Sequence, residues 1–185
     1  MRWCFACAAA LALVASAASA KVFFSQKEAL ELAFPDATRV ETDVHILSDA
    51  QAKAAEKASR SQLESRIAKF FAGWQDDRLL GYAFIDVHTV RTLPEAFMVV
   101  LEPDGRVRSV RVLAFHEPLD YLPSMRWYEQ FSARALADPL RLGGDIHGVV
   151  GATLSARAVT ASVRRVLALF QVLIRPQTPA TGTAN

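Results

Sequence analysis

Cysteine is almost missing from this chain. Of its 185 residues only two are cysteines, Cys4 and Cys7, and both lie in the first twenty. That stretch, MRWCFACAAALALVASAASA, has one early cation (Arg2), an apolar run from about Phe5 to Val14, and an Ala-Ser-Ala ending at Ala20. The layout is that of a secretory signal with small residues at the cleavage positions, and the apolar run is shorter than the ~20 residues a membrane-spanning helix needs. Cleavage is expected after Ala20. An uncleaved anchor would have no use for the Ala-Ser-Ala tail, and a lipoprotein would carry its cysteine after the apolar run. The Cys4-Phe5-Ala6-Cys7 spacing suggests a redox or metal pair, but both thiols leave with the signal. The exported chain then has no cysteine, which excludes disulfides, thiolate catalysis, cysteine-ligated haem and iron–sulfur clusters.

A charge of one sign is lacking too. The chain has 21 Lys and Arg against 19 Asp and Glu, and loss of Arg2 leaves 20 against 19, a balance that invites no nucleic acid. Catalytic signatures are equally sparse. No Gly-x-Ser-x-Gly supplies a nucleophile elbow. His45, His88, His116 and His147 contain no pair at the i, i+4 spacing of a helical zinc motif, and isolated histidines read as structural groups before they read as ligands. No catalytic residue and no metal ligand is assigned.

What remains is a pattern of helices and strands in a chain long enough for one ordinary domain with a small decoration. Ser25 opens a short helix with Ala29, Leu30 and Ala33 on its buried side, and Phe34-Pro35-Asp36 ends it. RVETDVHIL reads as a strand, and Ser48 caps a polar, Ala-rich helix through about Ala58. Leu63, Ile67, Phe70, Phe71 and Trp74, at spacings of four, three, one and three, predict a further helix with an apolar stripe. From Leu79 the texture changes. LLGYAFIDVHTV and AFMVVLEPDGRVRSVRVLAF predict three antiparallel strands, with a hairpin at Pro103-Asp104-Gly105 and a bulge near Arg108 and Ser109, where the alternation slips. A proline-containing loop, HEPLDYLPS, leads to a helix over MRWYEQFSARAL, with Trp127, Phe131 and Leu136 available to the core. LRLGGDIHGVVGATLS is a loop. The last helix carries Val159, Val163, Val166 and Phe170 on one face, with Arg157, Arg164 and Arg165 elsewhere around it, and PQTPATGTAN is a frayed tail. The most economical assembly is an α+β domain, an antiparallel sheet with helices packed against it.

The start of the last helix attracts most attention. A helix N-terminus leaves backbone N–H groups unsatisfied and carries partial positive charge, so it suits a phosphate. Gly151 and Ala152 let that backbone approach closely, and the Thr153 hydroxyl can be hydrogen-bonded or esterified. The alternative is plain capping by Thr153 or Ser155, worth about 1 kcal/mol.

Gly151-Ala152-Thr153-Leu154-Ser155, followed by Ala158-Val159 and a valine-rich helix, resembles the flavin-attachment motif of the FMN-binding domain family. That family includes flavin subunits of the sodium-translocating NADH:quinone oxidoreductase and of the Rnf complex. The resemblance runs over roughly residues 79 to 172, with Gly81-Tyr82, the Asp104-Gly105 hairpin and a Glu117-Pro118 loop similar to the family's Glu-Thr-Pro-Gly segment. It divides the chain into a signal (1–20), an N-terminal helical and strand extension (21–78), an FMN-binding domain (79–175) and a disordered tail (176–185). In the family, the threonine of a Ser/Thr-Gly-Ala-Thr sequence carries FMN through a phosphoester, installed outside the cytoplasm by a flavin transferase. Two positions depart from the pattern: Val150 stands where Ser or Thr is usual, and His147 where the family tends to place an aspartate, with Asp145 two residues further back as a substitute.

The resemblance implies FMN esterified to Thr153, with N–H groups near Leu154 and Ser155 around the phosphate. Tyr121, Trp127 and Tyr128 become candidate neighbours of the ring, with ordinary core as their other reading, and Glu117 and His147 become candidate hydrogen-bonding partners of the flavin, their other reading being polar residues that simply face solvent. It implies an exported, periplasmic electron-transfer protein and not a stand-alone enzyme. Such a protein relays electrons between a membrane-bound redox protein and an extracytoplasmic acceptor, and does not itself span the membrane once the signal is cleaved. Flavin held non-covalently, or a flavin-free binding or assembly module on the same fold, are the alternatives that Val150 and His147 leave open.

Overall fold

The computed structural model describes residues 21–90 and 93–175. The signal expected at 1–20 and the tail expected at 176–185 lie outside the described residues. The first two helices form where serine caps were expected. Ser25 and Ser48 each take part in a reciprocal capping box, with Glu28 and Gln51, opening α1 (Gln26–Ala33) and α2 (Asp49–Ser59). Between them runs β2 (Arg39–Ile46).

Residues predicted to form a third helix are instead β3 (Ile67–Gln75), with Leu63 in the turn before it. The reason lies in what covers the strand. Phe70 joins the core on one face of the sheet and Phe71, its neighbour, the core on the other. A strand buried on both faces is apolar at adjacent positions, so its spacing imitates a helical stripe. Next come β4 (Arg78–Val90), β5 (Leu93–Leu101) and β6 (Val107–Phe115), the three strands expected. Lys21–Val22 adds a short strand, β1, against β6 that the pattern did not announce. The sheet is antiparallel, ordered β1-β6-β5-β4-β3-β2.

The bulge falls where the alternation slipped. Val100 pairs with Ser109 but Leu101 with Val107, leaving Arg108 as the extra residue. Its guanidinium grips Glu102 at 2.6 and 2.9 Å and reaches the Leu80 carbonyl. At the β5–β6 hairpin, Gly105 has φ +87°, and a Cβ there would lie 2.4 Å from Cε1 of Phe170. Gly105→Ala is therefore expected to cost about 2 to 4 kcal/mol, the sum of a left-handed backbone and displacement of a core ring. Urea unfolding measures it, and a loss under about 1 kcal/mol would show that Phe170 swings aside freely.

The helix predicted over 125–136 is shorter. α3 (Met125–Tyr128) passes into one tight turn, Glu129–Phe131, and stops. Ala133 takes φ +62°, and the chain there pairs with β6 through Ala133 N–H to Val107 O (2.7 Å) and Val107 N–H to Arg134 O (2.8 Å). Backbone pairing with the sheet edge outcompetes another helical turn. Leu136 still packs on the core. Finally α4 (Thr153–Leu173) lays Val159, Val163, Val166 and Phe170 on the sheet beside α2, while α1 covers the opposite face. Of the polar residues expected to lie away from that apolar face, Arg157 is exposed, but Arg164 is buried and Arg165 half-buried. No helix among the described residues is long and apolar enough to cross a membrane.

Candidate functional site

The loop before α4 is tied down along its length. Asp145 accepts the amides of Leu140 (3.0 Å) and Arg141 (2.7 Å) and lies 3.5 Å from the Arg134 guanidinium. Burial alone would raise its pKa, but those amides and Arg134 hold it below the ordinary carboxylate value. His147 is anchored through its backbone, the amide donating to Gln130 Oε1 (2.8 Å) and the carbonyl accepting from Trp127 Nε1 (2.7 Å). A tight turn follows, with Gly151 at φ +85° and the Ala152 amide returning to Val149 O at 3.2 Å. Only glycine takes that φ without strain, and the space where its Cβ would stand is open.

Here α4 begins, and no side chain caps it. Ala152 occupies the cap position, the Thr153 hydroxyl donates back to Val149 O at 3.3 Å, and the Ser155 hydroxyl points down to Glu95 Oε1 at 3.5 Å. Neither hydroxyl does the capping work that Ser25 and Ser48 do elsewhere. The first turn also lacks an acidic side chain, so the partial positive charge of a 21-residue helix is left facing outward.

It faces a cleft of about 140 Å³ lined by Gly151 to Ser155, Glu117, Tyr121 and Val90. Seven of the residues singled out in the sequence thus come together: Gly151, Ala152, Thr153, Leu154, Ser155, Glu117 and Tyr121. Thr153 is exposed within it, and Glu117, only 8% exposed, has an Oε1 with no hydrogen-bond partner among the described residues.

Four others are elsewhere. Val150 projects fully into solvent beside the cleft, and His147, held by its backbone, is exposed and outside the lining. Trp127 and Tyr128 are core residues, their rings edge-to-face with each other at 5.3 Å, because α3 is pulled in under the loop by the Trp127–His147 hydrogen bond. Asp145, whose oxygens are spent on Leu140 and Arg141, does not line the cleft either.

Below the cleft lies a set of buried polar groups that sequence reasoning did not assemble. Leu93, Glu95, Phe97, Val99 and Leu101 share one face of β5, so register sends Glu95 into the core, fully buried. His88 is its cross-strand partner on β4 and stacks on Phe97 at 5.4 Å. Asp86 holds His88 Nδ1 at 3.1 Å and Arg165 at 2.5 Å. Burial would raise Asp86, but the hydrogen bond from His88 and the Arg165 charge hold it down to about 2. Glu95 has no such cation in contact; burial first, then the nearby charge of Glu117, push it up to about 7 against the pull of His88 and Ser155. Tyr128 is raised as well, by burial and by Glu95. The available signal was an acidic residue at a core-facing position of LPEAFMVVL.

No protein-family model matches the chain, and no curated protein matches it. Among solved structures, it is similar to a crystal structure of NqrC from Shewanella oneidensis. The TM-score is 0.51 at 18% identity, over 73% of this chain and 82% of that one. The fold is NqrC-like. Antiparallel sheet and flanking helices are the α+β arrangement expected for residues of this patterning.

Proposed function

We propose that this protein is an exported flavoprotein that carries FMN, phosphoester-linked to Thr153, and relays electrons between a membrane-bound redox protein and an extracytoplasmic acceptor. The observation that carries the reading is the uncapped start of α4, with an exposed Thr153 hydroxyl at the mouth of a cleft. A phosphoryl group fits it in three respects. The amides of the first turn have no capping side chain, the Gly151 backbone leaves open space, and the hydroxyl lies where an ester can form. A volume of about 140 Å³ is several times the ~30 Å³ share of a water, room for a phosphoryl group and the start of its chain. The NqrC-like fold and the resemblance of Gly151–Ser155 to the flavin-attachment motif support the same reading.

When bound, FMN supplies one- and two-electron transfer, and the protein's part is to hold, orient and shield it. Thr153 Oγ1 would anchor the phosphate, the Leu154 and Ser155 amides would surround it, and Tyr121 and Glu117 would border the chain beyond. Residues 1–20 would direct export, with a periplasmic flavin transferase installing the cofactor. The second reading, a flavin-free periplasmic binding or assembly module, is favoured by Val150 at the third position before Thr153 and by a His147 that stays out of the cleft.

Intact mass of the exported protein, co-expressed with a flavin transferase, separates them. The expected result is an increase of one esterified FMN, absent from Thr153→Ala at unchanged fold. An adduct retained in that variant would refute Thr153 as acceptor, and an unmodified, colourless wild type would favour the flavin-free module.

A further inference from the structure

An anion site is an odd place for carboxylates. Yet Glu117 lines the cleft and Glu95 lies directly under Ser155, both buried, with Glu117 Oε1 and Glu95 Oε2 unpartnered among the described residues. Polar groups from four segments bear on Glu95: His88 from β4, Tyr128 from α3, Ser155 from α4 and Glu117 from the segment after β6. One step further out, Asp86 holds His88 and Arg165, and His116, next to Glu95's cross-strand partner Phe115, holds the Pro94 carbonyl at 2.7 Å. The guanidinium in this set is already committed: Arg165 is paired with Asp86 at 2.5 Å. Two buried carboxylates and an arriving phosphoryl group would therefore bring mutually repelling charges together in a medium of low dielectric. A proton removes the conflict at the lowest cost.

We propose that the cleft takes its phosphoryl anion together with one proton, which is held by the buried Glu95 beneath Ser155. The inference rests on the reading of the cleft as a phosphoryl site. The step is a protonation alone: the Glu95 carboxylate takes a proton from solvent, becomes a neutral carboxylic acid able to donate a hydrogen bond, and no other bond is made or broken. Burial has already pushed Glu95 up to about 7 without any ligand, so near neutral pH a neighbouring anion tips it fully to the acid. A phosphate held this way binds more weakly as the solution becomes alkaline, although the helix terminus that attracts it does not titrate.

The test uses the full chain made without a flavin transferase and titrated with FMN by calorimetry near neutral pH, in two buffers of different protonation heat. Wild type is expected to take up about half a proton per FMN at pH 7 and nearly one by about pH 8, with Kd rising toward tenfold per pH unit above about pH 7. Glu95→Gln, neutral at every pH, should bind FMN without uptake and with a flat pH dependence, and Glu117→Gln should reduce the uptake. Riboflavin, which lacks the phosphate, should show none with wild type. FMN binding by wild type with no proton uptake overturns the proposal and leaves the flavin reading intact. Uptake that persists undiminished in Glu95→Gln belongs to the phosphate monoester, whose second proton titrates near 6, and overturns it as well. No FMN binding by any of the three proteins overturns this proposal alone; the flavin reading, which has the cofactor installed by a transferase, stands or falls on the intact mass of the co-expressed protein.

Discussion

Replacing Arg164 by methionine is expected to remove about 3 kcal/mol or more of stability, which for a chain of this size is roughly a 10 °C fall in Tm. Arg164 projects from α4 and is only 6% exposed. Its guanidinium donates to Ala58 O (3.0 Å) and Ser59 O (3.1 Å) at the end of α2, and to Pro139 O (2.7 Å) and Asp138 O (3.4 Å) in the loop beyond α3. One side chain thus satisfies the C-terminal carbonyls of one helix and fastens a loop from another part of the chain. Its positive charge also sits at the negative end of the α2 dipole. Methionine keeps the apolar stem and leaves those buried and part-buried carbonyls without their donor, at a desolvation cost of up to about 1 to 3 kcal/mol each before relaxation. Arg164→Lys keeps the charge but not the planar fork and should fall between the two. Urea unfolding with a common m-value checks the ranking, and a methionine variant within about 1 kcal/mol of wild type would show that water replaces the guanidinium.

The second large effect concerns pH. Glu95 carries a folded-state pKa of about 7, above the ordinary 4.5. Its contribution to stability is therefore fully present below pH 4.5 and is lost as pH rises through about 7. At 1.36 kcal/mol per unit this amounts to about 3 kcal/mol between those limits. Glu95→Gln cannot ionise, so the difference in unfolding free energy between variant and wild type should widen by about that amount from pH 5 to pH 8. A parallel pair of stability curves would show that Glu95 stays solvated in the folded state. Asp86 acts with the opposite sign. Its folded value of about 2 lies below the ordinary 3.8, so its contribution is present above pH 3.8 and is lost as pH falls toward 2. The two groups together favour a stability maximum on the mildly acidic side of neutral.

Several features were legible along the chain because their causes are local. Ser25 and Ser48 cap within three residues of themselves, and Asp104-Gly105 turns because glycine accepts a left-handed backbone. The stripe of Val159, Val163, Val166 and Phe170 repeats on the helical period whatever it packs against. The cleft residues that follow one another in sequence, Gly151 to Ser155, were found for the same reason. β3 was misread because its two adjacent phenylalanines answer to two different cores, a fact that exists only once helices lie on both faces of the sheet. α3 was read too long because the hydrogen bonds that end it come from β6.

By itself, then, the sequence determined the short helices, the hairpin, the long closing helix and the hydroxyl at its head, since backbone preference and side-chain period act between near neighbours. Tertiary structure alone drew the Ser155 hydroxyl to Glu95 across 60 residues. It alone brought Arg165 to Asp86 across 79, and Arg164 to the end of α2 across more than 100. Charges become consequential when water is removed from around them, and where water is removed is a property of the folded sheet, not of the order of residues along it.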